Sequence, residues 1–407
     1  MRWKFYDPGD LKEAALHQSI IEAIDDWWRE FQSKKDDISG LFSGHGEWDL
    51  PDWMQTHLGA VHPSLMWEYG PAVNVKGHRL VITPESDFAL RPLTQTVLDR
   101  APKIDGWEFY GYRLPEDVEG AQSSVKGRTG GDLTDIRVRA QCGDNNRIDL
   151  VLFSPKTSGP DDEQALNDAF VAVETLLGEE CLDEWIGAIE VASMRSRGKP
   201  EVGLIPLERL KETIDSVIGS IIDQLPPRPH YEWSADAEWT MWEMEPEECA
   251  DYPEQVDLFV SKSVNKPFWM AAHQNGAFYS KRFSRCGETF CYVKIDGAEG
   301  LNPDGFADKG EIEDALDAAL IPHGLGCQIG GGTGLRYSYI DLALTDLDRS
   351  IRVVRERLRE GKVPRRSWIL FFDTDLSAEW IGIYDDTPPQ PMTPDGVEGD
   401  ENDDELV

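Results

Sequence analysis

The chain has 407 residues, 40% of them apolar and 29% charged, which suits two or three globular domains with ordinary cores. Its net charge of −36 makes phosphate backbones and anionic membrane surfaces poor partners, and no run approaches the ~18 apolar residues of a membrane-spanning helix. Residues 231–261 carry ten Asp/Glu and residues 367–407 carry twelve, neither with any Lys or Arg, so these 72 residues account for −22 of the total.

The start, Met1-Arg2-Trp3-Lys4-Phe5-Tyr6-Asp7-Pro8, has basic residues with no apolar stretch after them, so no signal peptide is expected. Residues 10–33 place Leu11, Ala14, Ala15, Ile20, Ile21, Ile24, Trp27, Trp28 and Phe31 at helical spacings. An irregular stretch, 39–72, follows. The pattern then predicts a strand at Arg79–Thr83, a helix at Leu90–Arg100 and a strand at Trp107–Arg113. Ile136–Cys142 and Arg147–Phe153 read as a hairpin around Gly143-Asp144-Asn145-Asn146. A helix at Asp162–Leu177, a strand at Trp185–Val191 and a helix at Leu207–Ile222 complete the first half.

Pro226-Pro227-Arg228-Pro229 breaks the chain and marks the domain boundary. Beyond the acidic segment with Trp233, Trp239 and Trp242, strands are expected at Phe268–Ala272, Ala277–Phe283 and Phe290–Ile295. A helix at Glu311–Leu320, strands at Cys327–Ile329 and Tyr337–Ala343, a helix at Asp346–Glu360, and strands at Trp368–Asp373 and Trp380–Tyr384 follow. The order β-α-β-β-α-β is that of a split βαβ unit. The expected fold class is therefore α+β: two tandem ferredoxin-like α/β sandwiches, each an antiparallel sheet with helices mainly on one face. The expected segments are a domain over 1–228, an acidic connector over 229–261, a ferredoxin-like domain over 262–384 and a disordered acidic tail over 385–407, which holds four prolines and nine acids.

Catalytic signatures are missing. Gly330-Gly331-Gly332-Thr333-Gly334 runs into a strand rather than a helix and lacks the lysine of a phosphate loop, so it reads as a hairpin or bulged turn. His57 and His62 are five apart, off a common helical face, and with His45 make a poor metal site. Asp373-Thr374-Asp375 reads as a turn cap. Six scattered cysteines (142, 181, 249, 286, 291 and 327) suit reduced thiols and a cytoplasmic setting. No catalytic residue, metal ligand or cofactor is expected.

Alternation along the strands groups Phe290, Tyr292 and Lys294 with Tyr337, Tyr339 and Asp341 on one sheet face, opposite the aliphatic side. In the first half Arg137 and Arg139 share a polar face, which Tyr110 joins. These nine residues are the expected platform for a ligand or partner. The helix 346–360 and its exit carry Arg349, Arg352, Arg355, Arg357, Arg359, Lys362, Arg365 and Arg366, for which the chain's own acidic connector and tail are natural counterions.

The runs Leu65–Pro71, His78–Glu85 and Gly106–Tyr110 resemble uncharacterised bacterial proteins of unknown-function families, over about a quarter of the chain, a resemblance that implies no activity. In rhythm and charge the C-terminal half is similar to bacterial inhibitors of ribonuclease E of the B type. The expected function is a non-enzymatic, protein-binding regulator that engages a basic partner such as a nuclease or toxin, without nucleic acid or membrane. The alternative is a small-molecule-binding protein or cryptic enzyme with its ligand between two sheets.

Overall fold

The computed structural model describes residues 2–44, 48–157, 159–194, 203–274 and 276–392. Within them the chain is a mixed α+β protein with three sheets. It divides into two units. The first comprises the described residues up to Pro227, with Met270–Arg285 and Asp373–Glu379. The second comprises Arg228–Trp269, Cys286–Phe372 and the described residues from Trp380. Residues 393–407, most of the expected acidic tail, lie outside the described residues.

In the first unit, Asp10 caps helix α1 (Leu11–Phe42) by accepting from the Lys12 and Glu13 amides. The helix runs past its expected end because the apolar stripe continues through Ile38 and Leu41 with no breaker before Gly40. Trp27, Trp28 and Phe31 bury against α2 (Leu50–His57), β2 (His78–Thr83), α3 (Arg91–Asp99) and β3 (Trp107–Tyr110). The Trp28 indole N–H, which burial would otherwise orphan, donates to the Val97 carbonyl at 2.7 Å. β1 (Met66–Pro71) pairs antiparallel with β2, and β2 pairs parallel with β3.

A second small sheet takes the order β6-β5-β4-β7, from β4 (Arg137–Cys142), β5 (Ile148–Ser154), β6 (Ile186–Ser193) and β7 (Ile205–Pro206). Val138, Leu150 and Leu152 pack with Val173 and Leu176 of α5 (Glu163–Leu177) and with Leu210 and Ile214 of α7 (Leu210–Gln224). The helix α4 (Val118–Arg128) precedes β4, and α6 (Glu179–Trp185) leads into β6. The expectation of one antiparallel ferredoxin-like sheet in this half is corrected. The α3 and α5–α6 crossovers return the chain directly beside the strand it left, which makes β2/β3 and β5/β6 parallel pairs with no strand between them.

The second unit is built on a seven-stranded sheet, every neighbouring pair antiparallel, in the order β14-β13-β10-β12-β11-β9-β8. Its strands are β8 (Thr240–Glu243), β9 (Leu258–Ser263), β10 (Thr289–Asp296), β11 (Gly326–Gly334), β12 (Tyr337–Leu344), β13 (Ser367–Phe371) and β14 (Trp380–Gly382). Helix α9 (Lys309–Leu320) joins β10 to β11, and α10 (Leu347–Glu360) joins β12 to β13. The acidic stretch expected as a connector thus supplies two strands of this sheet. Two expected strands are not strands. Residues 266–272 form helix α8 (Lys266–Ala272), started by Asn265, whose Oδ1 accepts from the Phe268 amide at 3.1 Å, and 277–283 hold only a 3₁₀ turn at Ser280–Arg282. A five-residue apolar run is compatible with either periodicity, and the cap decides. No helix among the described residues is long and apolar enough to cross a membrane.

Candidate functional site

The six residues expected on one face of the second half do share it. Tyr292 stands opposite Asp341, Lys294 opposite both Tyr339 and Trp368, and Asp296 opposite Tyr337. They are not an open platform. All six are buried, and residues 251–258 of the acidic stretch lie across Tyr292, Lys294, Tyr337, Tyr339 and Asp341 as a strap. Tyr252 and Leu258 pack among Tyr292, Tyr337, Tyr339, Trp368 and Leu370. Phe290 is stacked on Phe268 at 4.9 Å.

The strap is fixed by carboxylates that meet donors on the sheet. Asp257 accepts from the Arg336 and Tyr337 amides, at 2.9 and 3.0 Å, and from the Tyr339 hydroxyl. Asp251 accepts from the Tyr337 hydroxyl at 2.6 Å and from Arg366 at 2.7 Å. Gln255 donates to Asp341 at 3.1 Å, and Lys294 donates to the Tyr252 carbonyl. Burial lowers the Lys294 ammonium to about 8, against the pull of Asp257 and Asp251. Burial also raises the Asp341 carboxyl to about 7 and the Tyr339 phenol far above its ordinary value. These groups hold a lid in place and leave no solvent-facing chemistry.

The glycine run belongs to the same construction. It lies inside β11, with a bulge between Gln328 and Gly330, rather than in a turn. A Cβ on Gly332 would sit 2.4 Å from Leu258 Cδ2 and 2.5 Å from the Val260 carbonyl, so glycine is what lets the strap and β9 approach.

The other three expected site residues are in the first unit and on two different sheets. Tyr110, on β3, donates to Glu108 at 2.9 Å. On β4, Arg137 is exposed and Arg139 lies over the Phe153 ring at 5.2 Å. Nothing gathers these three into one site. Asp373 accepts from the Ser280 amide at 2.7 Å and Asp375 from the Tyr279 hydroxyl at 3.2 Å, and burial lifts the Asp373 carboxyl to about 6. His62 Nδ1 accepts from the Ser64 amide and His57 packs against Trp53, while His45 lies outside the described residues. The arginine-rich helix is met by the chain's own acids: Arg355 and Arg359 by Asp385, Arg365 by Asp386, and Arg366 by Asp251 and Asp296.

What remains open is the edge of the sheet. β8 is its last strand, and the Met244 amide donates to the Phe259 carbonyl at 2.9 Å. In an antiparallel ladder bonded residues alternate, so the Met241 and Glu243 backbone groups point away from β9. Met241 is 68% exposed, Trp239 43% and Phe259 41%. Eight acids of the same stretch (Glu232, Asp236, Glu238, Glu243, Glu245, Glu247, Glu248 and Glu254) are exposed, and none forms an ion pair among the described residues. Sequence reading missed this edge, although the alternation Trp239, Met241, Glu243 against Thr240, Trp242 was a signal for it. Trp242 stacks on Trp269 at 3.8 Å and anchors the strand from its other side.

No family model, curated protein or solved structure matches the chain.

Proposed function

We propose that this chain is a non-enzymatic regulator that captures a basic, extended segment of a partner protein along the free edge of β8. The observation that carries this reading is a sheet edge that no strand pairs among the described residues, bearing Met241 next to Trp239, in a stretch whose exposed acids Glu238, Glu243, Glu245, Glu247 and Glu248 form no ion pair there. A sheet edge supplies main-chain bonds to a strand laid beside it, and alternate side chains supply selectivity. Carboxylates around it favour lysine and arginine and speed encounter. A nuclease or toxin with a basic strand or tail fits that chemistry. The strand order β13-β10-β12-β11, with α9 and α10 as crossovers, favours a ferredoxin-like reading of this unit, in which β9 and β8 extend one side.

The test is a fluorescence titration of the full chain with a short labelled peptide of alternating lysine and valine. It is expected to bind, and its glutamate–valine counterpart is not. Met241→Pro removes one outward N–H without touching a ladder bond to β9, and it should abolish binding while the chain stays folded. Equal binding of both peptides, or full binding to the proline variant, refutes the proposal.

A further inference from the structure

The first unit contains a cleft of about 680 Å³, within the range of small-molecule sites. One wall is apolar: Phe88, Leu166, Phe170, Leu182 and Ile189. Leu166 and Phe170 sit one turn apart on α5 and are 40% and 46% exposed, so they serve the cleft and not the core. The other wall holds Glu85, Glu174, Glu179 and Asp183 with Arg113 and Arg128.

These charges are unequally matched. Arg113 is bound by Glu85 and by Glu174 at 3.1 Å, and Arg128 by the other oxygen of Glu174. Each guanidinium is thereby matched by carboxylates already in the cleft, so an incoming anion meets no excess positive charge. Arg91, stacked on the Tyr112 ring at 3.9 Å, is shared by Glu179 at 2.8 Å and Asp183 at 2.9 Å, one cation between two acids. Four lining carboxylates thus face three guanidiniums. Asp183 uses Oδ2 on Arg91, and its Oδ1 makes no hydrogen bond among the described residues.

We propose that this cleft binds a small primary ammonium with an apolar body, an alkyl- or arylalkylamine, which sets its nitrogen on Asp183 Oδ1 and its carbon skeleton against Phe170, Leu166 and Phe88. The ammonium supplies the missing positive charge and the donor that Oδ1 lacks. The aliphatic and aromatic wall takes the body out of water. Nothing in this proposal depends on the β8 edge, which belongs to the other unit.

Isothermal titration of the full chain with phenethylammonium, 2-phenylethanol and 3-phenylpropionate tests it. Phenethylammonium is expected to saturate one site, the alcohol to bind about tenfold more weakly and the carboxylate not at all, given what one charge-assisted bond is worth. Asp183→Asn, which still offers Arg91 an oxygen, should cost the ammonium about tenfold in affinity and leave the alcohol unchanged. Phe170→Ser, at a half-exposed position that tolerates change, should weaken both ligands. Asp183 faces Arg91, Glu179, Asp375 and Tyr279, and burial raises its carboxyl to about 7. Ammonium affinity should therefore climb from pH 6 to pH 8 in the native chain and stay flat in Asp183→Asn. No saturable binding of phenethylammonium, undiminished affinity in Asp183→Asn, or tighter binding of the carboxylate would overturn the assignment.

Discussion

Tyr337 donates its phenolic hydrogen to Asp251 Oδ1 at 2.6 Å, and Arg366 donates to the same Tyr337 oxygen at 2.7 Å. An acid from the strap, a tyrosine from β12 and an arginine from the exit of α10 meet at one point. That junction ties part of an acidic stretch to the core of the second unit. It also explains why an aromatic sheet face with a buried lysine is tolerated: Lys294, Tyr337, Tyr339 and Asp341 all find hydrogen-bond partners on the strap.

Removing those answers is expected to be costly. Asp257→Ala strands the Arg336 and Tyr337 amides and the Tyr339 hydroxyl, all of which Asp257 accepts from. A loss of about 3 kcal/mol follows from two buried donors and one half-buried donor left unpaired. Tyr337→Phe, which deletes a single hydroxyl, should lose about 1–2 kcal/mol. Urea denaturation of the two variants against the native chain measures both, and equal losses would contradict the ranking.

Asp341 offers a pH test. Burial raises its carboxyl from 3.8 to about 7 in the fold. The fold then holds a proton that the unfolded chain releases between about pH 4 and pH 7, so this residue's contribution is present at low pH and is lost as pH rises through that window. Asp341→Asn should therefore be more stabilising at pH 8 than at pH 5, by ~2–3 kcal/mol. Denaturation midpoints of the two proteins at both pH values give the answer, and a variant less stable at pH 8 than at pH 5, relative to the native chain, goes against it.

The glycine run predicts a packing effect. Gly332→Ala places a methyl 2.4 Å from Leu258 Cδ2 and 2.5 Å from a β9 carbonyl. An overpacking cost of ~1–3 kcal/mol is expected. A phosphate loop would instead lose anion binding with little change in stability, so a thermal melt separates the two readings.

The exposed pairs of Asp385 with Arg355 and Arg359 should matter little. Asp385 is 83% exposed, and pairs of this kind contribute under ~1 kcal/mol. Asp385→Ala is expected to leave the melting temperature nearly unchanged at moderate salt. A drop of several degrees would show that the C-terminal segment is part of the cooperative fold.

Much of this was legible in the sequence, for definable reasons. Period-two alternation placed Phe290, Tyr292 and Lys294 with Tyr337, Tyr339 and Asp341, because both strands are long and regular. The hairpin around Asn145 and Asn146 was legible because both residues tolerate the left-handed backbone they adopt, each with φ of 58°. The strap was not. Residues 246–257 contain two prolines and no periodicity, and their partners are some 80 residues away in sequence. The acidity itself misled in part: the stretch read as a connector, yet its Asp251 and Asp257 bind donors on and beside the sheet. The membership of 270–285 and 373–379 in the first unit was hidden as well, since neither piece carries a local signal of where it packs.

Salt dependence bears on the proposed partner surface. The exposed carboxylates on and next to β8 in sequence, Glu238, Glu243, Glu245, Glu247 and Glu248, should make association with a lysine–valine peptide weaken steeply between low and high ionic strength, through the association rate above all. Stopped-flow kinetics over a salt series measures this, and a salt-independent rate would argue that the acids take no part.

The most direct test of the edge-capture account is amide hydrogen exchange at Met241 and Glu243, with and without the lysine–valine peptide. The account predicts fast exchange in the free protein and at least tenfold protection at both positions on binding, with the amides of Trp242 and Met244, which face β9, changing less. Binding that leaves Met241 and Glu243 exchanging as fast as before would contradict it.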